Sequence, residues 1–148
     1  MAAPATSGRR WRTQAAFTAW RVAKLSLQSS TTPACVRHRR PLVAGAAIGF
    51  DGQVSVYDTR AAGAPCYACV FPPDATLEET ACATMGVFAP LVGIIGTVQA
   101  AEALKLLAGT GRSLAGRLQM LDARTMEWSE IRIARQPGCV VCGNAGPA

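Results

Sequence analysis

The sequence predicts an α/β protein in which strands, one long helix and further strands follow one another in one domain. Two short runs with the apolar pattern of strands precede Leu91–Leu107, where apolar residues repeat at helical spacing, and two more such runs follow it. Half of the residues are hydrophobic and 16% are charged, which is the balance of a globular chain. This order of elements favours a mixed sheet packed against the helix.

The first predicted elements are two strands. Pro41–Gly49 is an apolar run of small residues, as expected of a buried strand, and Gln53–Tyr57 alternates polar and apolar residues, as expected of a half-buried strand. Asp51-Gly52 between them is a strong signal for a two-residue turn. The pattern therefore predicts a β-hairpin that turns at Asp51-Gly52.

The segment after the hairpin is predicted to be mostly irregular. Ala61–Asp74 is rich in glycine, proline and cysteine, which is typical of a loop, and it contains the first of two cysteine pairs. Thr76 and Glu79 then have the spacing of a capping box, which predicts a short helix.

The long helix is predicted to begin near Pro90 and to end at Gly109, because these residue types favour a helix start and a helix stop. The apolar stretch Met85–Ala101 is interrupted by proline, threonine and glutamine, and charged residues follow closely. We therefore predict a buried helix and no membrane span.

The last predicted elements are two strands, Gly116–Asp122 and Glu127–Ala134, and the turn between them, Ala123–Met126.

Positive charge is concentrated in the first quarter of the chain. Residues 1–40 hold eight of the 15 basic residues and no carboxylate, so residues 41–148 hold seven basic and nine acidic residues, a net charge of −2. This balance gives no support to a nucleic-acid groove in residues 41–148. We expect residues 1–33 to be a basic leader that is poorly ordered or unrelated to the fold, a transit peptide or membrane-surface helix being the alternative. Residues 34–148 are expected to form the domain.

Four of the six cysteines form two pairs with two residues between their members, Cys66 with Cys69 and Cys139 with Cys142. Each pair can hold one metal ion through a tight turn, and two such pairs are typical of a closed, structural zinc site. The chain shows no secretory signal, and thiols stay reduced in the cytoplasm, so metal binding is expected before disulfides. Redox-active dithiols or a chance occurrence are the alternatives.

The remaining cysteines and the single histidine carry weaker signals. Cys82 precedes the long helix, where the helix N-terminus can lower a thiol pKa and favour nucleophilic chemistry, but a small buried residue is an equal alternative. Cys35 is expected in the core. His38 lies in a solvated basic run without a base partner nearby. No glycine-rich phosphate loop opens a helix after a strand, so the residues themselves show no nucleotide site.

Several motifs occur in a characteristic order along the chain. They are Pro41-Leu42-Val43-Ala44-Gly45-Ala46-Ala47-Ile48 with Asp51-Gly52-Gln53; Pro65-Cys66-Tyr67-Ala68-Cys69; Cys82 with Gly86-Val87-Phe88-Ala89-Pro90-Leu91-Val92-Gly93; Gln99-Ala100-Ala101-Glu102-Ala103-Leu104-Lys105; and Pro137-Gly138-Cys139-Val140-Val141-Cys142. Together they resemble the ThiF/HesA/MoeB family, whose members adenylylate ubiquitin-like sulfur-carrier proteins with ATP. The resemblance runs from about Ala34 to Gly143.

The resemblance implies a partial Rossmann-like, ThiF-type fold with a mixed sheet, a long crossover helix and a structural Zn²⁺ on Cys66, Cys69, Cys139 and Cys142. It implies ATP with Mg²⁺ as cosubstrate, a sulfur-carrier protein as partner, a homodimer and a cytoplasmic location. Cys82 matches the position where some members use a cysteine for thioester or persulfide chemistry.

One departure from the family concerns residues 1–33, on which the family's nucleotide-binding residues cannot be placed. We therefore expect the C-terminal half of such an enzyme, which needs a complementing nucleotide-binding half and is inactive alone. A non-catalytic zinc-stabilised module that binds a carrier protein or enzyme partner is the alternative.

Overall fold

The computed structural model describes residues 25–73 and 86–143, with side chains from residue 31 onward. Its elements in chain order are helix α1 (Leu25–Arg37), strands β1 (Leu42–Ile48) and β2 (Asp51–Tyr57), a 3-10 helix (Tyr67–Cys69), helix α2 (Ala89–Ala108), and strands β3 (Arg117–Asp122) and β4 (Glu127–Arg132). The predicted α/β class is confirmed. The predicted long helix and the last two strands are confirmed to within two residues at each end.

The four strands form one sheet in the order β1-β2-β3-β4, and each strand is antiparallel to its neighbours. The prediction of a mixed sheet is therefore wrong for the described strands. The reason is the path of the chain after β2, which returns to the beginning of that strand: Phe88 N–H donates to Gly49 O at 2.8 Å. Helix α2 then runs in the same direction as β2, so β3 returns beside β2 in the opposite direction. The helix thus connects antiparallel strands.

The β1–β2 hairpin turns at Gly49-Phe50, because Ile48 already pairs with Asp51. The prediction of a turn at Asp51-Gly52 is wrong by two residues. Gly49 takes a positive φ of 54°, which glycine adopts at little cost. Gly52 is instead buried within β2, where an added Cβ would lie 2.8 Å from a methyl carbon of Leu91 in α2. The absence of a side chain at Gly52 therefore lets the helix pack closely against the sheet.

Helix α2 packs against one face of the sheet. Gly45 lets it approach closely, since a Cβ there would lie 2.6 Å from the side chain of Gln99 and 2.8 Å from that of Ile95. The helix begins with a proline in its first turn and ends at Gly109, which has a left-handed conformation, as predicted. By length and hydropathy alone α2 could cross a membrane. The prediction of a buried helix holds only for the side of α2 that packs against β1 and β2, since 28% of its apolar 18-residue window is buried. The absence of a membrane span stays a prediction.

The opposite face of the sheet carries a second core, in which Cys35 of α1 and Tyr67 of the 3-10 helix pack against Leu42, Ala44 and Tyr57. Because both faces are covered, β2 is buried more completely than the predicted half-buried strand. Even its Ser55 is 1% exposed, and the Ser55 hydroxyl donates to Arg117 O in β3. The sheet therefore lies between α2 on one side and α1 with the cysteine loop on the other.

Some expectations fall outside the described residues. Residues 1–24, the short helix at 76–79 and Cys82 are among them. Helix α1 crosses the predicted boundary between residues 33 and 34 without interruption. The division of the chain into a leader and a domain stays a prediction.

Candidate metal centre

Two short backbone turns bring the cysteine pairs together. In the first, Cys69 N–H donates to Cys66 O at 3.1 Å as the chain forms the 3-10 helix that begins at Tyr67. In the second, Gly143 N–H donates to Cys139 O at 2.7 Å. An added Cβ at Gly143 would lie 2.4 Å from that same oxygen, so the second turn requires glycine.

The four thiols meet in one compact cluster. Cys66 Sγ lies 3.9 Å from Cys69 Sγ and 3.7 Å from Cys139 Sγ, and Cys69 Sγ lies 3.4 Å from Cys142 Sγ. All four sulfurs lie within 4.8 Å of one another. Four sulfurs at about 2.3 Å from a tetrahedral zinc ion lie about 3.8 Å apart. The donor set and its spacing therefore fit a structural zinc ion, and the sequence prediction of which four cysteines come together agrees with the structure.

Burial and nearby backbone N–H groups shift the pKa values of the thiols in opposite directions. Burial raises the pKa of Cys66 and of Cys69, because a thiolate is poorly solvated there. Burial also raises the pKa of Cys139, but the N–H groups of Cys142 and Val141 outweigh it and lower the pKa to about 7. Cys139 thus supplies a thiolate readily, and a cation would stabilise the ionised forms of Cys66 and Cys69.

The four-cysteine cluster is joined to neighbouring residues by hydrogen bonds as well as by packing. Gln136 N–H donates to Cys69 Sγ at 3.5 Å, and the Arg135 guanidinium donates to Cys142 O. Val36 of α1 and Val141 pack against the buried cysteines. Sequence spacing gave no signal for Gln136, because its contact is made by the main chain and does not depend on the side chain.

The other predicted site residues lie elsewhere. Cys35 is 5% exposed in the second core, as expected, and burial raises the pKa of its thiol. His38 is exposed. Cys82 lies outside the described residues, so its role stays a prediction.

A model of the ThiF family matches residues 25–141. The chain belongs to the ThiF family. Among curated relatives, molybdopterin-synthase adenylyltransferase of Escherichia coli (strain K12) is 41% identical over 121 residues, covering 80% of this chain and 47% of the relative. The sulfur carrier protein ThiS adenylyltransferase of the same strain is 39% identical, covering 83% of this chain and 49% of the relative.

A third relative of this ThiF-family chain is the adenylyltransferase and sulfurtransferase MOCS3 of Bos taurus, 45% identical over 74% of this chain and 24% of the relative. The chain thus spans about half the length, or less, of the curated relatives it matches. Among solved structures, Escherichia coli MccB with ATP has a TM-score of 0.63 at 18% identity, covering 81% of this chain and 37% of MccB. The heterocyclase TruD has a TM-score of 0.61 at 13% identity, covering 79% of this chain and 20% of TruD. These likenesses show the ThiF-like fold.

Proposed function

We propose that this chain is the zinc-bearing, C-terminal part of an adenylyltransferase that activates the C-terminal glycine of a ubiquitin-like sulfur-carrier protein. The observation that supports it most strongly is the 41% identity to molybdopterin-synthase adenylyltransferase over 80% of the chain. The four thiols, spaced for one tetrahedral ion, are consistent with the structural zinc expected of such a domain. In the proposed reaction the carrier's glycine carboxylate attacks the α-phosphorus of ATP, and pyrophosphate leaves.

The proposed role of this part of the enzyme is to hold the domain together on the zinc side. When bound, zinc closes a four-thiolate site and supplies folding free energy. Cys66 and Cys69 anchor the loop that follows β2, and Cys139 and Cys142 anchor the segment that follows β4. We place ATP and Mg²⁺ on a complementing nucleotide-binding half, because residues 1–33 lack the glycine-rich loop and the phosphate-binding residues expected there.

Further parts of the proposal concern Cys82, assembly and location. Cys82 is the candidate for a thioester or persulfide after adenylylation, with a structural role as the alternative. We propose a cytoplasmic enzyme that acts as a homodimer or with its complementing half. The exposed side of α2 is the candidate surface for either contact.

ATP–pyrophosphate exchange with the purified chain, its zinc content measured, tests the proposal when a sulfur-carrier protein is present. We expect no exchange by the chain alone and exchange when a nucleotide-binding half of a ThiF-family relative is added. Exchange by the chain alone would contradict the placement of ATP on a separate half. No exchange in either case, with about one zinc per chain, would contradict the catalytic proposal.

The second candidate is a zinc-stabilised module that binds a carrier protein or an enzyme partner without catalysis. The absence of a recognisable nucleotide-binding sequence in residues 1–33 favours it. Titration of the zinc-loaded chain with a carrier protein distinguishes the two candidates. Saturable binding without exchange under any complementation supports the module, whereas exchange on complementation excludes it.

A further inference from the structure

In the four-cysteine cluster, each cysteine of the first pair has a close sulfur neighbour in the second pair. The sulfurs of Cys69 and Cys142 are 3.4 Å apart, and those of Cys66 and Cys139 are 3.7 Å apart. Within the first pair the two sulfurs are 3.9 Å apart. Four cysteines can form two disulfides in three ways. One of these ways uses both close contacts between the pairs, and it joins the loop that follows β2 to the segment that follows β4 twice.

Two of the four cysteines lie closer to solvent than the others. Cys69 and Cys139 are each 8% exposed, whereas Cys66 and Cys142 are 1% and 3% exposed. The two more exposed cysteines belong to different pairs, and each has a less exposed cysteine of the other pair within 3.7 Å. A small oxidant that reaches either of them therefore meets a sulfur with a second sulfur close behind it.

We propose that the four-cysteine cluster is a site of modification by peroxides, at which oxidation joins Cys69 to Cys142 and Cys66 to Cys139. The Cys69 thiolate attacks one oxygen of hydrogen peroxide, the O–O bond breaks, and hydroxide leaves, so that the sulfur becomes a sulfenic acid. The Cys142 thiolate then attacks that sulfur, an S–S bond forms, and the second oxygen leaves as hydroxide. Two protons from solvent convert both hydroxides into water.

Cys139 and Cys66 react in the same way with a second peroxide molecule, so the four sulfurs lose four electrons and the two peroxides accept them. Thiolates are the form of cysteine that binds metal, so a zinc ion held by these sulfurs would be released. Both disulfides connect residues that are 73 positions apart in the sequence. The oxidised cluster thus keeps together the two segments that the thiolates and their metal hold in the reduced protein.

Peptide mapping of the folded, zinc-loaded chain after treatment with hydrogen peroxide tests the pairing. Cys35→Ala and Cys82→Ala are introduced together, so that the four clustered cysteines are the only ones left. Zinc release is followed in the same reaction with a colorimetric chelator. The same chain, freed of metal, unfolded in guanidinium and then oxidised, is the control. Closing a short loop costs less entropy than closing a long one, so the control should form disulfides mainly within the pairs.

The cleavage sites of three proteases separate the possible pairings. Trypsin cleaves after Arg60, Lys105 and Arg135, which places the two cysteine pairs in different peptides. Chymotrypsin cleaves after Tyr67, between Cys66 and Cys69, and elastase cleaves after Val140, between Cys139 and Cys142. Each disulfide therefore gives a linked peptide of its own mass.

For the folded chain we expect mainly the links Cys69–Cys142 and Cys66–Cys139, with about one zinc ion released for every two peroxide molecules consumed. The oxidised chain should also melt at a higher temperature than the reduced, metal-free chain, because cross-links between distant residues constrain the unfolded state. Any other main pairing, sulfinic acids without disulfides, or no reaction would overturn the proposal. So would the same pairing in the unfolded control, or an oxidised chain that melts no higher than the reduced one.

Discussion

Gly143 occupies a position in the second cysteine turn that a residue with a side chain cannot take without moving the backbone. Its amide donates to Cys139 O, and a Cβ would clash with that same oxygen and with Pro137 O, 2.6 Å away. Gly138, in the same turn, has open space around its Cβ position. Two glycines in one turn therefore make different contributions to the metal centre.

We expect Gly143→Ala to weaken zinc binding and Gly138→Ala to leave it unchanged. The first substitution forces the backbone of the turn apart, at a cost of about 1–3 kcal/mol, whereas the second meets no neighbour and should change stability by about 0.5 kcal/mol or less. Zinc retention against a chelator, together with thermal unfolding, measures both effects. Equal behaviour of the two variants would contradict the steric argument.

The cysteines themselves give a second prediction. Cys139→Ser removes one of four thiolate ligands, so zinc content should fall well below one per chain and the melting temperature should drop, because binding free energy is folding free energy in such sites. Cys35→Ala is the matched control, since Cys35 is also buried but packs in the second core and is not one of the four clustered cysteines. The control should keep about one zinc per chain even if its melting temperature falls. Metal content measured after dialysis decides between the outcomes.

At the scale of elements, the contact between α2 and the sheet depends on two glycines. Gly45 in β1 and Gly52 in β2 let Ile95 approach both strands, with the positions of the missing Cβ atoms 2.8 Å and 2.9 Å from its carbons. Ile95 is fully buried at this contact. Interiors are packed too closely to absorb an added methyl group without shifting the helix.

We expect Gly45→Ala to destabilise the domain by about 1–3 kcal/mol, because the added methyl group overpacks the helix–sheet contact. Gly93→Ala is the matched control in α2, where nothing lies within 4 Å of the added Cβ. It should stabilise the helix by up to about 1 kcal/mol, since alanine is the better helix former. Denaturant unfolding of both variants measures the difference. A neutral Gly45→Ala would contradict the proposed close approach.

A second contact joins α2 to the segment before β3. The carboxylate of Glu102 is buried, accepts the Leu114 N–H at 2.8 Å and forms an ion pair with Lys105. We expect Glu102→Ala to cost about 2–3 kcal/mol, because it leaves the buried Leu114 N–H without an acceptor and removes the ion pair of Lys105, whose ammonium keeps only its bond to Arg112 O. Denaturant unfolding checks the value.

The matched control for Glu102 is Glu130 of β4, whose ion pair with Arg117 is partly exposed. Glu130→Ala should cost less than about 1 kcal/mol. A loss at Glu102 as small as the loss at Glu130 would show that the buried carboxylate does not hold the helix to the β3 segment.

At the scale of the whole molecule, the sheet has an outer strand that is open to solvent. Every residue of β4 is exposed, and Trp128 and Ile131 are 44% and 47% exposed. Within residues 25–73 and 86–143, only β3 pairs with β4. Unpaired edges with apolar side chains favour association between chains.

We therefore expect the isolated chain to self-associate and to be marginally stable. Trp128→Lys and Ile131→Lys should each reduce association, because a charge on an edge strand opposes edge-to-edge pairing. Val140→Lys is the matched control, since Val140 is 74% exposed but lies outside the sheet. Sedimentation velocity of the zinc-loaded proteins measures the change. A monodisperse parent chain with a sharp, cooperative melt would contradict the prediction.

The α/β class, the cysteine set and the limits of most elements followed from residue types and their spacing, whereas the ThiF-type fold was implied by the resemblance to that family. Doubled cysteine pairs, a proline and a glycine at the ends of an apolar helix, and alternating runs are local signals, so they can be read along the chain. The resemblance to the family rested on the longer motifs between Pro41 and Cys142, and the family model that matches residues 25–141 shows the membership. The separation of roles between Gly138 and Gly143 could not be predicted, because both have the same spacing from the cysteines and differ only in what surrounds them.

By itself, then, the sequence determined which elements form and which four thiols can share a metal ion, because these depend on neighbours in the chain. Only the tertiary structure decided the antiparallel order of the sheet, the turn at Gly49-Phe50 and the use of Gly52 for helix contact. Those features depend on where the segment after β2 returns, and in particular on the bond from Phe88 to Gly49. Contacts between residues distant in sequence leave no local pattern, and it is these contacts that set strand direction and the helix–sheet contact.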